Sequence, residues 1–523
     1  MPRLPRDGYE PVARSSHDGV EEIDLEGFKP PVSYSHCRAS PVHYCVSALT
    51  SAVRGVIRRR RHWLPIAWNL RRLVSTIVWS LLVLIVFTFL FVPSYTHLPP
   101  HYAALRNVVQ ASNTPGRGNP RNSTVFIAVS LYDKNGVLAG GQWGQALLDL
   151  IDMIGPDNVF LSIYENDSEK AGERALQQLS DRVPCNKSIV YEEHFNFTGF
   201  PTVTLPDGSE HVRRVEFLAD VRNRALRPLD EHPELRFDRL LFLNDVYFNA
   251  LDALQLLFST NTQNGVPEYR AACAVDFINP FKFYDTFASR DLEGYSMGLP
   301  FYPWFTTAGS AQSRQDVLHG KDAVRVRSCW GGMVAFDAGF FQHPLPPLPS
   351  TISPSNTEYK NRSSPVRFRA ESDLFWESSE CCLIHADIQI PPPPASPSSP
   401  QDPQDTNTDT GIYMNPFIRV AYHPRSFSWL HLTRRVEKLY SIVHGIASRI
   451  AGLPVYNPRR AQVAGEAVQD RVWVVDEHHD GKFEMAERIA NGDGFCGRWD
   501  LQVLKKREEN GEGGWGAVPV PES

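Results

Sequence analysis

The sequence predicts an α/β fold with a Rossmann-like, mainly parallel sheet, placed after a single N-terminal transmembrane helix. Three observations predict it. Residues 73–92, LVSTIVWSLLVLIVFTFLFV, carry no charge, and about 20 apolar residues span a bilayer as a helix. From Val125 to Leu243, short apolar runs alternate with helix-period segments, the pattern of βαβ units. One of these runs, Leu240-Leu241-Phe242-Leu243, stops abruptly at Asn244-Asp245, and open α/β sheets bind ligands at the carboxyl ends of buried strands.

The apolar run lies too far from the N-terminus, and is too long, for a cleaved signal peptide; a buried core helix is its other reading. Arg54, Arg58–Arg61, Arg71 and Arg72 precede it, and only Arg106 follows within about 20 residues, so the basic side stays cytosolic. That predicts a type II arrangement: a cytosolic, largely disordered tail (1–72), a signal-anchor helix (73–92), a stem (93–121), a lumenal domain (122–505) and a disordered tail (506–523). The tail 1–72 carries 12 Lys/Arg against 7 Asp/Glu, a surplus of +5, so with a net charge of −6 the remainder carries −11. That excludes nucleic acid as the partner of the large domain. Cys37 and Cys45 fall on the cytosolic side; Cys185, Cys273, Cys329, Cys381, Cys382 and Cys496 fall on the other. Six cysteines in an oxidising compartment allow up to three disulfides, with the pairing open. Sequons stand at Asn122, Asn166, Asn186, Asn196 and Asn361, all beyond the anchor.

Within the domain, Val125–Leu131 reads as a strand. Trp143, Ala146, Leu147, Leu150, Ile151 and Ile154 give a helix that Gly155-Pro156 stops, and Val159–Tyr164 a second strand. Ala171, Ala175, Leu176 and Leu179 give a second helix, and Ser188–Tyr191 a third strand. A third helix, carrying Val215, Leu218, Ala219, Arg222, Ala225 and Leu226, leads through a polar connection to the strand Leu240–Leu243. Aromatic residues crowd positions 284–305; such rings pack on sugar faces and also fill cores. Pro-rich stretches at 343–364 and 391–410 read as surface loops. Ser379 is placed to cap a helix from Glu380, and residues 412–422 form a strand ending at His423. Leu432, Val436, Leu439, Tyr440, Val443, Ile446, Ala447 and Ile450 form an amphipathic helix expected to pack on the domain. Val472–Val475 is a further strand, and Asp476-Glu477-His478-His479-Asp480 after it reads as a solvated turn rather than a metal site, because adjacent strand residues face opposite ways.

An acid at a strand end is by itself often a turn residue. Here Arg222, Asn223 and Arg224 precede Asp245 on the helix, and basic and amide donors beside an acid suit a diphosphate held by a divalent metal. Paired glycines beside Trp330, in Cys329-Trp330-Gly331-Gly332, suit close approach of backbone to a ligand.

The layout of helix, apolar strand and acid resembles sugar-nucleotide glycosyltransferases of the GT-A type. The segments FLNDVYF, ACAVDF, FYDTFASRD and VRSCWGGMVAFDAGFF resemble the fungal capsule-associated α-1,3-mannosyltransferases, glycosyltransferase family 69, over roughly residues 124–425. The resemblance implies a GT-A-like domain in the Golgi membrane that moves mannose from GDP-mannose to a glycan acceptor, with retention of configuration and a divalent ion, Mn²⁺ or Mg²⁺. It implies Asp245 as metal ligand, with His423, or alternatively His385, as a further one. Glu165, Arg222, Asn223, Asn244 and Asp276 fall to the donor; Trp330, Gly331 and Gly332 to the acceptor. Glu380, in a Ser-Glu-Cys element with Cys381 where such enzymes carry Asp, is the carboxylate nearest the acceptor, with Asp373 behind it. The family pattern Asp-x-Asp is here Asn244-Asp245-Val246, one carboxylate instead of two. That departure supports the alternative of an inactive lumenal relative that binds sugar nucleotide or assists assembly. A glycoside hydrolase, with two carboxylates and no nucleotide, leaves the Arg/Asn helix without a purpose.

Overall fold

The computed structural model describes residues 71–343, 364–390, 409–475, 481–504 and 514–521. The expectations for residues 1–70, for most of the two Pro-rich loops, for Asp476–Asp480 and for most of the C-terminal tail lie outside the described residues. One compact unit begins at Pro93 and runs through the rest of the chain; a second ends at Val92. The described part of the second is the helix Arg71–Phe91, 21 residues with a mean hydropathy of 2.6 over its most apolar window. At about 1.5 Å per residue it is roughly 30 Å long, long and apolar enough to cross a bilayer.

The main unit is built on a nine-stranded sheet. Its strands are β1 (Val125–Leu131), β2 (Val159–Asn166), β3 (Asn186–Glu192), β4 (Arg239–Leu243), β5 (Ala271–Phe277), β6 (Arg290–Asp291), β7 (Val324–Ser328), β8 (Met333–Asp337) and β9 (Ile412–Ala421). The spatial order is β6-β7-β9-β5-β8-β4-β1-β2-β3. The half predicted from alternating periodicity is all parallel: β1 lies between β2 and β4 in register, and β2 pairs with β3. The other half is mixed. β8 enters antiparallel between β4 and β5, β5 and β9 run parallel, and β7 and β6 close the edge antiparallel. Each βαβ return is a helix: α1 (Gln142–Ile154), α2 (Glu169–Arg182) and α3 (Arg214–Arg224). α1 buries Trp143, Leu147, Leu150, Ile151 and Ile154, and Gly155, with φ +98°, ends it, as the Gly-Pro pair predicts.

The longer helices that follow among the described residues are α4 (Ala250–Ser259), α5 (Glu380–Ile388), α6 (Pro424–Thr433) and α7 (Tyr440–Ile450), with short ones at Pro228–Glu231 and Gln312–Leu318. The stretch read as a stem carries a helix of its own, Pro100–Ala111, whose Tyr102 is fully buried and accepts a hydrogen bond from Asn415 of β9. The single amphipathic helix expected over 432–450 is instead two helices with a short 3-10 turn between them, and its apolar side does not face the domain. Ile442, Val443, Ile446 and Ile450 are exposed. From the aromatic run, Tyr302, Trp304 and Phe305 are core.

Among the described residues two disulfides form, Cys273–Cys329 and Cys382–Cys496, while Cys185 and Cys381 stay free and buried. Closing loops of 56 and 114 residues is worth about 4–5 kcal/mol each by chain entropy. A buried ion pair ties β9 to the turn before α7: Arg419 grips Glu437 with both terminal nitrogens, at 2.6 and 2.8 Å. Ser94 Oγ donates to the same carboxylate. Removing one partner of such a pair strands a charge in the core. Glu437→Ala is therefore expected to lower stability by about 3–5 kcal/mol, read by denaturant melts, whereas Glu437→Gln, which still accepts hydrogen bonds, loses less.

Candidate active site at the carboxyl ends of β4 and β5

The chain leaves β4 at Asn244, which with Asp245 is half-buried. Its exit is fixed from two sides. The Asn244 backbone N–H donates to the Gly332 carbonyl at 2.9 Å, and Trp143 Nε1 of α1 donates to the Asn244 carbonyl at 3.2 Å. Two residues on, Tyr247 and Ala421 exchange backbone hydrogen bonds of 2.7 and 3.2 Å as an antiparallel bridge. The bridge brings the segment after β4 beside the end of β9, and His423, two residues past Ala421, is the exposed N-cap of α6. His385 does not lie there. It is fully buried in α5, and its Nδ1–H donates to the Cys381 carbonyl at 2.7 Å. Burial pushes its imidazole down to about 4, so it is neutral. Its Nε2 faces Cys273 Sγ at 3.8 Å, and the Cys273 and Cys329 sulfurs beside it are bonded to each other.

Arg222 of α3 collects the surrounding elements. Its Nε donates to Glu380 Oε1 at 2.9 Å, its Nη1 reaches Asn244 Oδ1 at 3.4 Å, and its guanidinium lies 4.9 Å over the Trp330 ring. Glu380 is the first residue of α5, whose N-terminus Ser379 caps by accepting the Cys381 N–H. Arg222, Asn244, Glu380 and Trp330 are thus brought together. Trp330 is itself buried between Phe242 and Phe368. Gly331 and Gly332 have φ of +62° and +65°. A Cβ on Gly331 would sit 2.0 Å from the Ala274 carbonyl oxygen, and one on Gly332 would sit 2.7 Å from Val246 Cγ1. The close backbone approach predicted for this pair is to the protein's own β5 and post-β4 turn.

Asn223 turns away, exchanging hydrogen bonds of 2.8 and 2.9 Å with the Phe368 backbone. Asp373 pairs with Arg459 at 2.7 Å, on a different group of side chains from Arg222 and Glu380. Glu165 ends β2 in full burial, turned toward Gly172 at the start of α2. It stands two strands from β4, about 10 Å across the sheet. Asn166 is buried too, with its amide donating to the Asp167 carboxylate. The crowding that a glycan at this sequon would cause does not arise, because the side chain is inaccessible in the fold.

Asp276 at the end of β5 is fully buried, accepting from Tyr422 Oη at 3.0 Å and from the Asp285 N–H at 3.2 Å. The segment after β5 folds back through a Phe277–Phe283 bridge and returns Asp285 to the strand end. Burial, then the charge of the neighbouring Asp285, raises the Asp276 carboxyl above its ordinary value. Burial, with the charge of Glu380 against it, raises Asp285. Tyr284 and Tyr422 meet edge to face with ring centroids 4.6 Å apart, and both lie in the field of Asp245, Asp276 and Asp285. Asp285, Tyr284 and Tyr422 were not among the predicted site residues. Tyr284 and Asp285 stand within the FYDTFASRD segment, but only the fold-back puts the carboxyl beside Asp276. Asp285 thus lies beside Asp276 on one side and within reach of Arg222 and Glu380 on the other, joining the ends of β5 and β4 into one cluster.

A family model described as cryptococcal mannosyltransferase 1 matches residues 124–387. An α-1,3-mannosyltransferase of Cryptococcus neoformans var. neoformans serotype D is 25% identical over 255 residues, 46% of this chain and 49% of the relative. The match therefore spans about half the length of that curated relative. Among solved structures, a mannosyltransferase from Pyrobaculum calidifontis in complex with GDP-Man and Mn²⁺ aligns at a TM-score of 0.30 and 12% identity, over 67% of this chain and 71% of that one. A mycobacterial protein aligns at 0.27 and 10%, over 76% and 90%.

The raised Asp276 carboxyl makes the fold hold a proton more tightly than the unfolded chain does. Its stabilising contribution is complete below the ordinary carboxylate value of about 4 and drains away as pH rises through the raised value. Asp276→Asn removes that dependence. The variant is expected to melt near the parent at pH 5 and a few °C above it at pH 8; thermal melts across this range, without added metal, check it.

Proposed function

We propose that this chain, which belongs to the cryptococcal mannosyltransferase 1 family, is a GT-A-type mannosyltransferase anchored as a type II Golgi membrane protein. It moves mannose from GDP-mannose to a mannoside acceptor, with retention of configuration, in capsule, cell-wall or glycoconjugate synthesis. The observation that supports this reading is the Arg222–Glu380 pair, with Asn244 at the end of β4, next to the Asp276–Asp285 pair at the end of β5. The helix Arg71–Phe91 with its basic N-terminal flank supports the anchor. The sequon residues Asn122, Asn186 and Asn196, all exposed, suit a lumenal domain.

Glycosyl transfer needs a neutralised leaving diphosphate and a positioned acceptor. Asp245, with His423 as a further ligand and the Asn244 amide oxygen assisting, would hold a divalent ion, and oxygen and imidazole ligands suit Mn²⁺ or Mg²⁺. When bound, such an ion supplies positive charge to the diphosphate oxygens. The protein's own groups do the rest. Arg222, bonded to Glu380 at 2.9 Å, fixes that carboxylate, whose remaining oxygen is the acceptor for a sugar hydroxyl, and Arg222 is a positioning residue. Asp276, which accepts the Asp285 N–H at 3.2 Å, positions Asp285, and the half-buried Asp285 offers an acceptor to the donor sugar, with the Tyr284–Tyr422 pair beside it.

The test uses the full chain in nanodiscs with GDP-mannose, Mn²⁺ and an α-mannoside, with product followed by mass spectrometry. Extended product is expected, lost with EDTA and regained with Mn²⁺. Asp245→Ala is expected to lower turnover by about 10²–10³-fold, the loss on removing one charge-stabilising group. Undiminished product in that variant removes Asp245 from the site. GDP-mannose binding without turnover, over a panel of acceptors, establishes instead the inactive relative that the missing first aspartate favours.

A further inference from the structure

Helix α7 is mounted the opposite way round from its sequence pattern. The face against the domain is polar and specific. His444 is buried, its Nε2–H donating to the Leu299 carbonyl at 2.9 Å and its Nδ1 accepting from Arg314 at 3.0 Å. Buried Ser448 accepts the Leu299 N–H at 3.2 Å. Gly298 passes so close that a Cβ there would lie 2.7 Å from His444 Cε1. The helix is therefore seated by directional bonds. At about 100° per residue, Ile442, Val443, Ile446 and Ile450 fall within an arc of about 100° on the other side, and they are between 58% and 83% exposed. None of the helix's eleven residues is acidic, and Arg449 stands at the edge of the apolar arc. Val455 and Tyr456 continue the exposed apolar surface along the chain.

The chain itself indicates what covers this face. Ser94 is held by the segment that leads into α7: its N–H donates to the Arg434 carbonyl at 3.0 Å, and its one hydroxyl proton is shared between that carbonyl, at 3.2 Å, and the Glu437 carboxylate. Arg434 Nη1 returns a bond to the Tyr95 carbonyl at 3.1 Å. Val92, where the apolar helix gives out, is two residues from Ser94, about 7 Å of chain at most. Whatever direction that helix takes, it leaves the domain beside Glu437, and α7 begins three residues after Glu437.

We propose that α7 is an interfacial helix that lies in the surface of the bilayer holding Arg71–Phe91, seating the domain on the membrane by a second contact. The inference rests on the membrane-anchor reading above. Its occupant is lipid: an aliphatic arc bordered by arginine, free of acids and next to the anchor's exit, matches the acyl–headgroup boundary, where Arg449 reaches the headgroups. A domain held at two points also keeps a fixed orientation, which a single tether does not impose.

The test places one fluorescent label at a time on the full chain, with Cys37→Ser and Cys45→Ser as background, in phosphatidylcholine nanodiscs with and without nitroxide-bearing acyl chains. Labels at Leu81→Cys and Ile446→Cys are expected to be quenched by the nitroxide lipid, and a label at Val190→Cys on β3 is not. Adding Ile442→Asp and Ile450→Asp is expected to weaken the quenching at position 446 by at least about twofold, with the thermal melt unchanged. Quenching at 81 but not at 446 overturns the inference and leaves the anchor standing. Absence of quenching at both overturns the anchor reading and this inference with it. Quenching at 446 that survives both aspartates also overturns it. A label at 446 that is shielded from water, unquenched by lipid and cross-linkable to a second copy assigns the face to self-association instead.

Discussion

The guanidinium of Arg222 is the point on which this site depends. It comes from α3, bonds Glu380 at the start of α5, reaches the Asn244 side chain at the end of β4, and rests on Trp330 at the turn into β8. Four elements distant in sequence therefore share one cation. Burying a charge costs several kcal/mol unless it is paired and hydrogen-bonded, so each partner is held as firmly as the arginine. The pairing also gives the carboxylates around it different tasks. Glu380 is paired with the Arg222 guanidinium, while burial pushes both Asp276 and Asp285 toward protonation, helped by the charge of Asp285 on Asp276 and of Glu380 on Asp285.

The scaffold behind the arginine is covalent as well as packed. The Cys273–Cys329 disulfide joins β5, three residues before Asp276, to the residue preceding Trp330. The same turn then presses Gly331 onto the Ala274 carbonyl, where no side chain fits. Strand end, turn and aromatic seat move as one body. Cys382–Cys496 does similar work for α5, anchoring the helix that carries Glu380 to the C-terminal segment. Site geometry of this kind is set by rigid elements, which hold groups better than loops do.

The same logic explains the polar mounting of α7. A buried ion pair, Arg419–Glu437, fixes the turn before the helix, and His444 and Ser448 fix the helix itself. Hydrogen bonds are directional, so they set which side of the helix faces in. The aliphatic residues then take the outer face because the inner one is filled.

Local chemistry made much of this legible in the sequence. The charge-free run, the strand-and-helix alternation from Val125 to Leu243, the Gly155-Pro156 stop, the Ser379 cap and the acid at the end of β4 all follow from periodicity, backbone preference and hydrophobicity within a few residues. Those properties travel with the chain and need no partner. Tertiary structure alone decided the antiparallel entry of β8, the return of Asp285 to Asp276, the bridge that joins Tyr247 to Ala421, the turning of Asn223 to Phe368, and the outward face of α7. Each depends on which distant groups supply a hydrogen bond, a charge or a filled volume. A side chain's residue type belongs to the sequence; the direction in which it is used belongs to the neighbours that the fold brings to it.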